Sequence, residues 1–176
     1  MKNSGIVSLV ISLLAIAFSG YVLYNSLANK VAYVELQTVF NDFEMTKQYK
    51  KKLEAVVSAR KAISDSLQVT LKAQSRSINT APNTSDEKVQ DFVFNKEYYI
   101  ERVKQFQEDN MALKQQYDTE INKQINQYVK DYGEKNGYRF IYGAEGSGVL
   151  MYAKEGDNIS KEVIEYINKR YNGQPK

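Results

Sequence analysis

The chain has 176 residues, a net charge of +3, and neither cysteine nor histidine. That excludes disulfides, thiolate chemistry and cysteine metal sites, and removes the commonest general base and metal ligand. Lys2 and Lys30 flank an apolar N-terminus; beyond them 22 of the 24 basic residues face 21 acidic ones, a balance that argues against nucleic acid as a partner.

Residues 3–29 carry no charge. Within them 6–27 is an apolar run of about 33 Å as a helix, enough to cross a bilayer. Tyr21 and Tyr24 sit near its far end, where interfacial aromatics are common. Residues 1–30 therefore read as a retained membrane anchor. The alternative is a cleaved signal segment with Ser26-Leu27-Ala28 as its small-x-small site, although the apolar run exceeds the usual signal core of about 7–15 residues. Either reading sends the rest of the chain out of the cytoplasm if Lys2 stays inside.

Val31-Ala32-Tyr33-Val34-Glu35 is β-branched and aromatic, and predicts a strand. A helix over 36–79 follows at once. Its apolar residues step by three and four: Leu36, Val39, Phe43, Tyr49, Leu53, Val56, Ile63, Leu67, Leu71. Polar residues such as Thr46, Arg60 and Gln74 interrupt them, which suggests a thin coiled-coil seam. Pro82 cannot continue the helix, and Ser85 can cap the next one, with Asp86 and Glu87 in its first turn. The second helix runs to about Lys135 through Phe92, Lys96, Tyr99, Val103, Phe106 and Tyr117. Similar lengths on either side of a short turn at 80–85 predict an antiparallel pair.

Asn136-Gly137 suits a helix end. Strands at 138–142 and 149–153 read as a hairpin around a turn at 144–148. Ser160 can cap a last helix reaching about Tyr171. The glycine-rich turn lacks the Lys-Ser/Thr ending of a phosphate loop and opens no helix. The fold class is α+β: an N-terminal transmembrane helix, a small β body from 31–35 and 137–171, and a helical hairpin over 36–136.

Val31-Ala32-Tyr33-Val34-Glu35-Leu36-Gln37-Thr38-Val39-Phe40 resembles the start of the mature Skp/OmpH family of envelope chaperones. Val149-Leu150-Met151-Tyr152-Ala153, followed by Asp157-Asn158-Ile159-Ser160-Lys161-Glu162-Val163-Ile164, is similar to that family's C-terminal end. The resemblance covers about 31–171. It implies a homotrimer whose small β body carries three helical tentacles and which holds unfolded outer-membrane proteins without ATP. Val31, Tyr33, Val34, Phe140, Tyr142, Leu150 and Tyr152 are the candidates for the β body and its oligomer contacts. The retained anchor and near-neutral charge depart from the best-known members.

No cofactor, metal or catalytic residue is expected, nor any enzymatic activity. Lys50-Lys51-Lys52 points three ways on a helix and reads as a solvated face. Phe94 and Tyr98 lie about 180° from the seam at 100° per residue. Val69 and Ala73 are likewise off-seam on the first helix, and all four lie within 16 residues of Pro82. They are the candidate contacts for unfolded clients. A structural coiled-coil scaffold of the envelope, without chaperone activity, is the alternative function.

Overall fold

The computed structural model describes residues 11–22, 30–80, 85–145 and 150–173. Residues 11–22 form a helix, α1, exposed along its whole length. Among the described residues no helix is long and apolar enough to cross a membrane. The other residues of the span expected at 6–27 lie outside those described, as do residues 81–84 of the expected hairpin tip. Two compact units follow from the remaining contacts: a base of 1–44 with 122–176, and a hairpin unit of 45–121.

The base starts with strand β1, Val31–Glu35, and helix α2, Leu36–Asp42. The single helix expected over 36–79 is broken at Phe43, whose backbone is extended (ψ 129°), and resumes as α3, Glu44–Thr80. The break has a tertiary cause. The Phe43 side chain is fully buried, with edge-on rings at Tyr128 and Tyr171. The backbone groups that the break releases are taken by one side chain: Asn168 Nδ2 donates to the Asp42 carbonyl (3.1 Å), and its Oδ1 accepts the Glu44 N–H (2.8 Å). These bonds hold the kink in place, the one to the part-buried Glu44 N–H sparing it the cost of a lost partner.

Helix α4, Asp86–Asn136, ends at Gly137, whose φ of +69° suits glycine at a helix end. Tyr138 N–H still donates to Gly133 O (2.9 Å), so strand β2 begins late, at Phe140–Ala144 rather than 138–142. Arg139 N–H donates to Lys30 O (2.8 Å), which sets the start of β2 beside the start of β1. The two strands are therefore parallel, with Val31 opposite Phe140 and Glu35 opposite Ala144. Gly143 lets the strand pass close to α2: a Cβ on it would lie 2.6 Å from Leu36 Cδ1, so a larger residue would have to displace that side chain.

The strand expected at 149–153 does not form over its described part, because residues 150–154 are irregular and Met151 and Tyr152 stand 86 % and 81 % exposed. A strand needs a backbone edge to pair with. The second edge of β1 is already occupied, since Tyr33 bridges Asn158 and its carbonyl accepts Ile159 N–H (3.0 Å). A short 3-10 turn at Glu155–Asp157 leads to helix α5, Ser160–Tyr171. Ser160 is the first residue of that helix and not its cap; its hydroxyl accepts the Glu35 N–H (2.8 Å) and donates to Asn158 Oδ1 (2.6 Å). The base core is Ala32, Val34, Val39, Phe43, Ile125, Ile159, Val163 and Ile167.

In the hairpin unit α3 and α4 pair along a seam of half-buried side chains. Tyr49 and Tyr117 rings lie 4.4 Å apart; Arg60 donates to Asn110 Oδ1 and ion-pairs Asp109 (3.5 Å); Asn95 donates to Gln74 (3.4 Å). Ile63, expected in the seam, is 50 % exposed, and Ser64 takes its place. The steps 53-56-60-64-67-71 follow the 3.6-residue turn of a straight helix rather than a strict heptad, which moves position 63 outward. Likewise Asn95, and not Lys96, faces the partner helix.

Glu120 closes one layer of this seam. Gln116 and the Tyr49 hydroxyl both donate to its carboxylate (2.9 Å each), and these bonds, with Lys52 nearby, hold it below the usual carboxylate range. A depressed folded pKa contributes stability above the unfolded pKa and loses it as pH falls through the folded value. Glu120→Gln is therefore expected to flatten the acid side of the stability profile. Urea midpoints measured by circular dichroism at about pH 7 and about pH 3 should separate the two proteins less at the lower pH; an equal difference at both would contradict this.

Candidate binding surface

The hairpin unit carries its exposed apolar residues on two kinds of face. Val69 (66 % exposed) and Ala73 share the face of α3 opposite its seam, and Phe94 (69 %) and Tyr98 (41 %) the corresponding face of α4. At 100° per residue each pair points away from the other helix, so the four do not form one patch. Tyr98 is also partnered: Arg102 donates to its hydroxyl (2.8 Å) and lies over its ring (5.2 Å).

The sequence reading missed a second stripe. Val89, Val93 and Ile100 stand 41–55 % exposed on one flank of α4. Beside them is an open groove lined by Leu71, Phe92, Tyr99 and Ile100, with Gln68, Lys72, Ser75 and Lys96 around it. The signal was present in the spacing, because 89, 93, 96 and 100 repeat the 4-3-4 rhythm one position away from the main seam at 92, 99, 103 and 106. The sequence pattern assigns Lys96 to the main seam instead, which hid the flank it belongs to.

The base has its own apolar surface. Val31 (45 % exposed), Phe140 (48 %) and Tyr142 (44 %) share the sheet face away from the core, with the half-buried Tyr33 beside them. Phe140 and Tyr142 stack at 6.0 Å, and Arg139 lies over Phe140. Val34 belongs to the core at 1 % exposure, and Leu150 is half-buried. Burial raises the Tyr132 hydroxyl pKa, and burial with Glu155 and Glu35 nearby raises that of Tyr33, so both stay neutral.

Among the described residues there is no group of three or more acidic side chains that could hold a metal ion. What these surfaces offer is adhesion, through many weak apolar contacts that have no preferred direction.

The family model described as "Outer membrane protein (OmpH-like)" matches residues 30–167. No curated protein matches the chain. A solved structure from Caulobacter crescentus, described as an OmpH-like outer membrane chaperone, is similar in fold with a TM-score of 0.71 at 10 % identity, over 81 % of this chain and 85 % of that one.

Proposed function

The chain belongs to the OmpH-like outer membrane protein family, and on that premise we propose that it is an ATP-independent holdase for unfolded outer-membrane proteins in the periplasm. One observation carries the reading: Val69, Val93, Phe94 and Ile100, between 46 % and 69 % exposed, all lie in a hairpin unit that pairs only along its seam. Single exposed apolar residues are ordinary, but a group such as Val93, Phe94 and Ile100 on neighbouring faces of α4 marks binding. An unfolded chain offers no fixed shape, so open apolar surface suits it better than an enclosed pocket. The chaperone description of the Caulobacter crescentus protein supports the same reading.

The working form is a homotrimer joined through the β body. Its support is the bare sheet face of Val31, Tyr33, Phe140 and Tyr142, together with the exposed Tyr152. A base this small gains little stability from its own core and benefits from covering that face. The chain is tethered to the inner membrane by residues 6–27. Its support is α1, uncharged and exposed throughout, with Ile11, Leu14, Ile16 and Phe18 each at least 60 % in contact with solvent.

The test dilutes an unfolded barrel protein from urea into the full chain held in lipid nanodiscs and follows light scattering. Suppressed scattering is the expected result. Phe94→Ser with Tyr98→Ser should raise the amount of chain needed by about threefold to tenfold, the equivalent of one or two lost apolar contacts. An unchanged requirement would remove these two residues from the surface. No suppression by the unaltered chain would leave the scaffold reading in its place.

A further inference from the structure

The groove beside the second stripe has a definite chemistry. Its apolar lining is Leu71, Phe92, Tyr99 and Ile100; Lys72 and Lys96 also line it, and among the described residues no carboxylate does. Val89, Val93 and Ile100 extend the apolar stripe along α4 for about 16 Å, at 1.5 Å per residue. An extended chain places side chains of one face about 6.8 Å apart, so three of them, spanning about 14 Å, fit within that length. Lysine stems can cover apolar surface while their charged ends turn toward an anion. Strands of membrane barrels alternate apolar and polar residues, which is the pattern such a stripe fits.

We propose that this groove, between Leu71 and Lys72 on α3 and Phe92, Lys96, Tyr99 and Ile100 on α4, takes an extended client segment. The segment alternates apolar with polar residues and carries a carboxylate that Lys72 and Lys96 receive. The inference rests on the holdase reading and names the chemical class of segment that the hairpin prefers. The rim charge separates an acidic segment from a neutral one of equal hydrophobicity.

The absence of cysteine makes Ile100→Cys a unique labelling site. The full chain in nanodiscs, carrying an environment-sensitive dye there, is titrated with a synthetic peptide alternating leucine with serine and containing one central aspartate. A saturable blue shift is expected, about fivefold to tenfold weaker when the aspartate is replaced by asparagine or when the chain carries Lys72→Glu and Lys96→Glu. Equal binding of both peptides overturns the charge preference. A shift that appears with protein concentration alone means that a second copy fills the groove, and one produced by anionic lipid in the disc means that lipid fills it; either overturns the proposal.

Because a dye at Ile100 could obstruct the groove, peptide binding to the unlabelled chain is also measured by calorimetry. Val93→Ser with Ile100→Ser should weaken it about tenfold, as two exposed apolar contacts are removed. If binding is unchanged while the unaltered chain still suppresses aggregation, the groove assignment fails and the holdase reading stands. If the unaltered chain suppresses nothing, the holdase reading itself fails.

Discussion

Phe43→Ala is expected to cost the base about 3–5 kcal/mol, the usual range for emptying a buried phenylalanine site. The ring is fully buried and packs edge-on against Tyr128 (6.1 Å between centroids) and Tyr171 (5.4 Å), so its loss unseats two further aromatics. The same residue holds the break between α2 and α3 in register with the Asn168 amide, which bridges Asp42 O and Glu44 N–H. A small domain has only about 5–15 kcal/mol in total. The substitution should therefore expose the amides of β1 and β2 to hydrogen exchange far faster than in the unaltered chain, at equal protein concentration. Leucine at this position, which retains most of the volume, should recover part of the loss. Unchanged exchange of β1 amides in Phe43→Ala would contradict the role assigned to the ring.

Arg60→Leu combined with Asn110→Leu is expected to act in the opposite direction and stabilise the hairpin unit by about 1–2 kcal/mol. Arg60 is only 24 % exposed, donates to Asn110, ion-pairs the half-exposed Asp109 at 3.5 Å, and lies over the Phe106 ring at 5.6 Å. Desolvating a guanidinium offsets most of what its contacts return, and well-packed leucines lack that cost. Arg60→Ala alone should be destabilising, because it leaves Asn110 half-buried without its donor. Urea unfolding of both variants checks the pair; a double leucine variant less stable than the unaltered chain would show that the polar layer is a net contributor.

The helical hairpin was legible because its apolar residues keep a 3–4 rhythm on either side of Pro82, and that rhythm follows from helix geometry alone. The end of α4 was legible for a similar local reason, since Gly137 adopts a φ of +69° that glycine tolerates best. The break at Phe43 was not. Nothing around Asp42-Phe43-Glu44 stops a helix locally; the stop is made by Asn168, 124 residues further along the chain from Glu44. The missing strand at 149–153 is a parallel case: its composition is strand-like, but its fate depended on which backbone edges other segments had taken. The outward turn of Ile63 came from helix phase, where a 3-4-4 step and a heptad part by a single residue. At the candidate surface the off-seam residues Phe94 and Val69 were found by angle, whereas the groove was not, because its stripe includes Lys96 and lies next to a stronger one.

The most direct measurement of the holdase account is hydrogen exchange, read by mass spectrometry, on a barrel protein bound to the full chain in nanodiscs. The account expects a stable complex in which the client is soluble and its amides exchange as fast as those of an unfolded chain, because open apolar contacts bind side chains without ordering a backbone. A client that never forms a soluble complex, or one whose amides become protected as in a folded barrel while still bound, would contradict it.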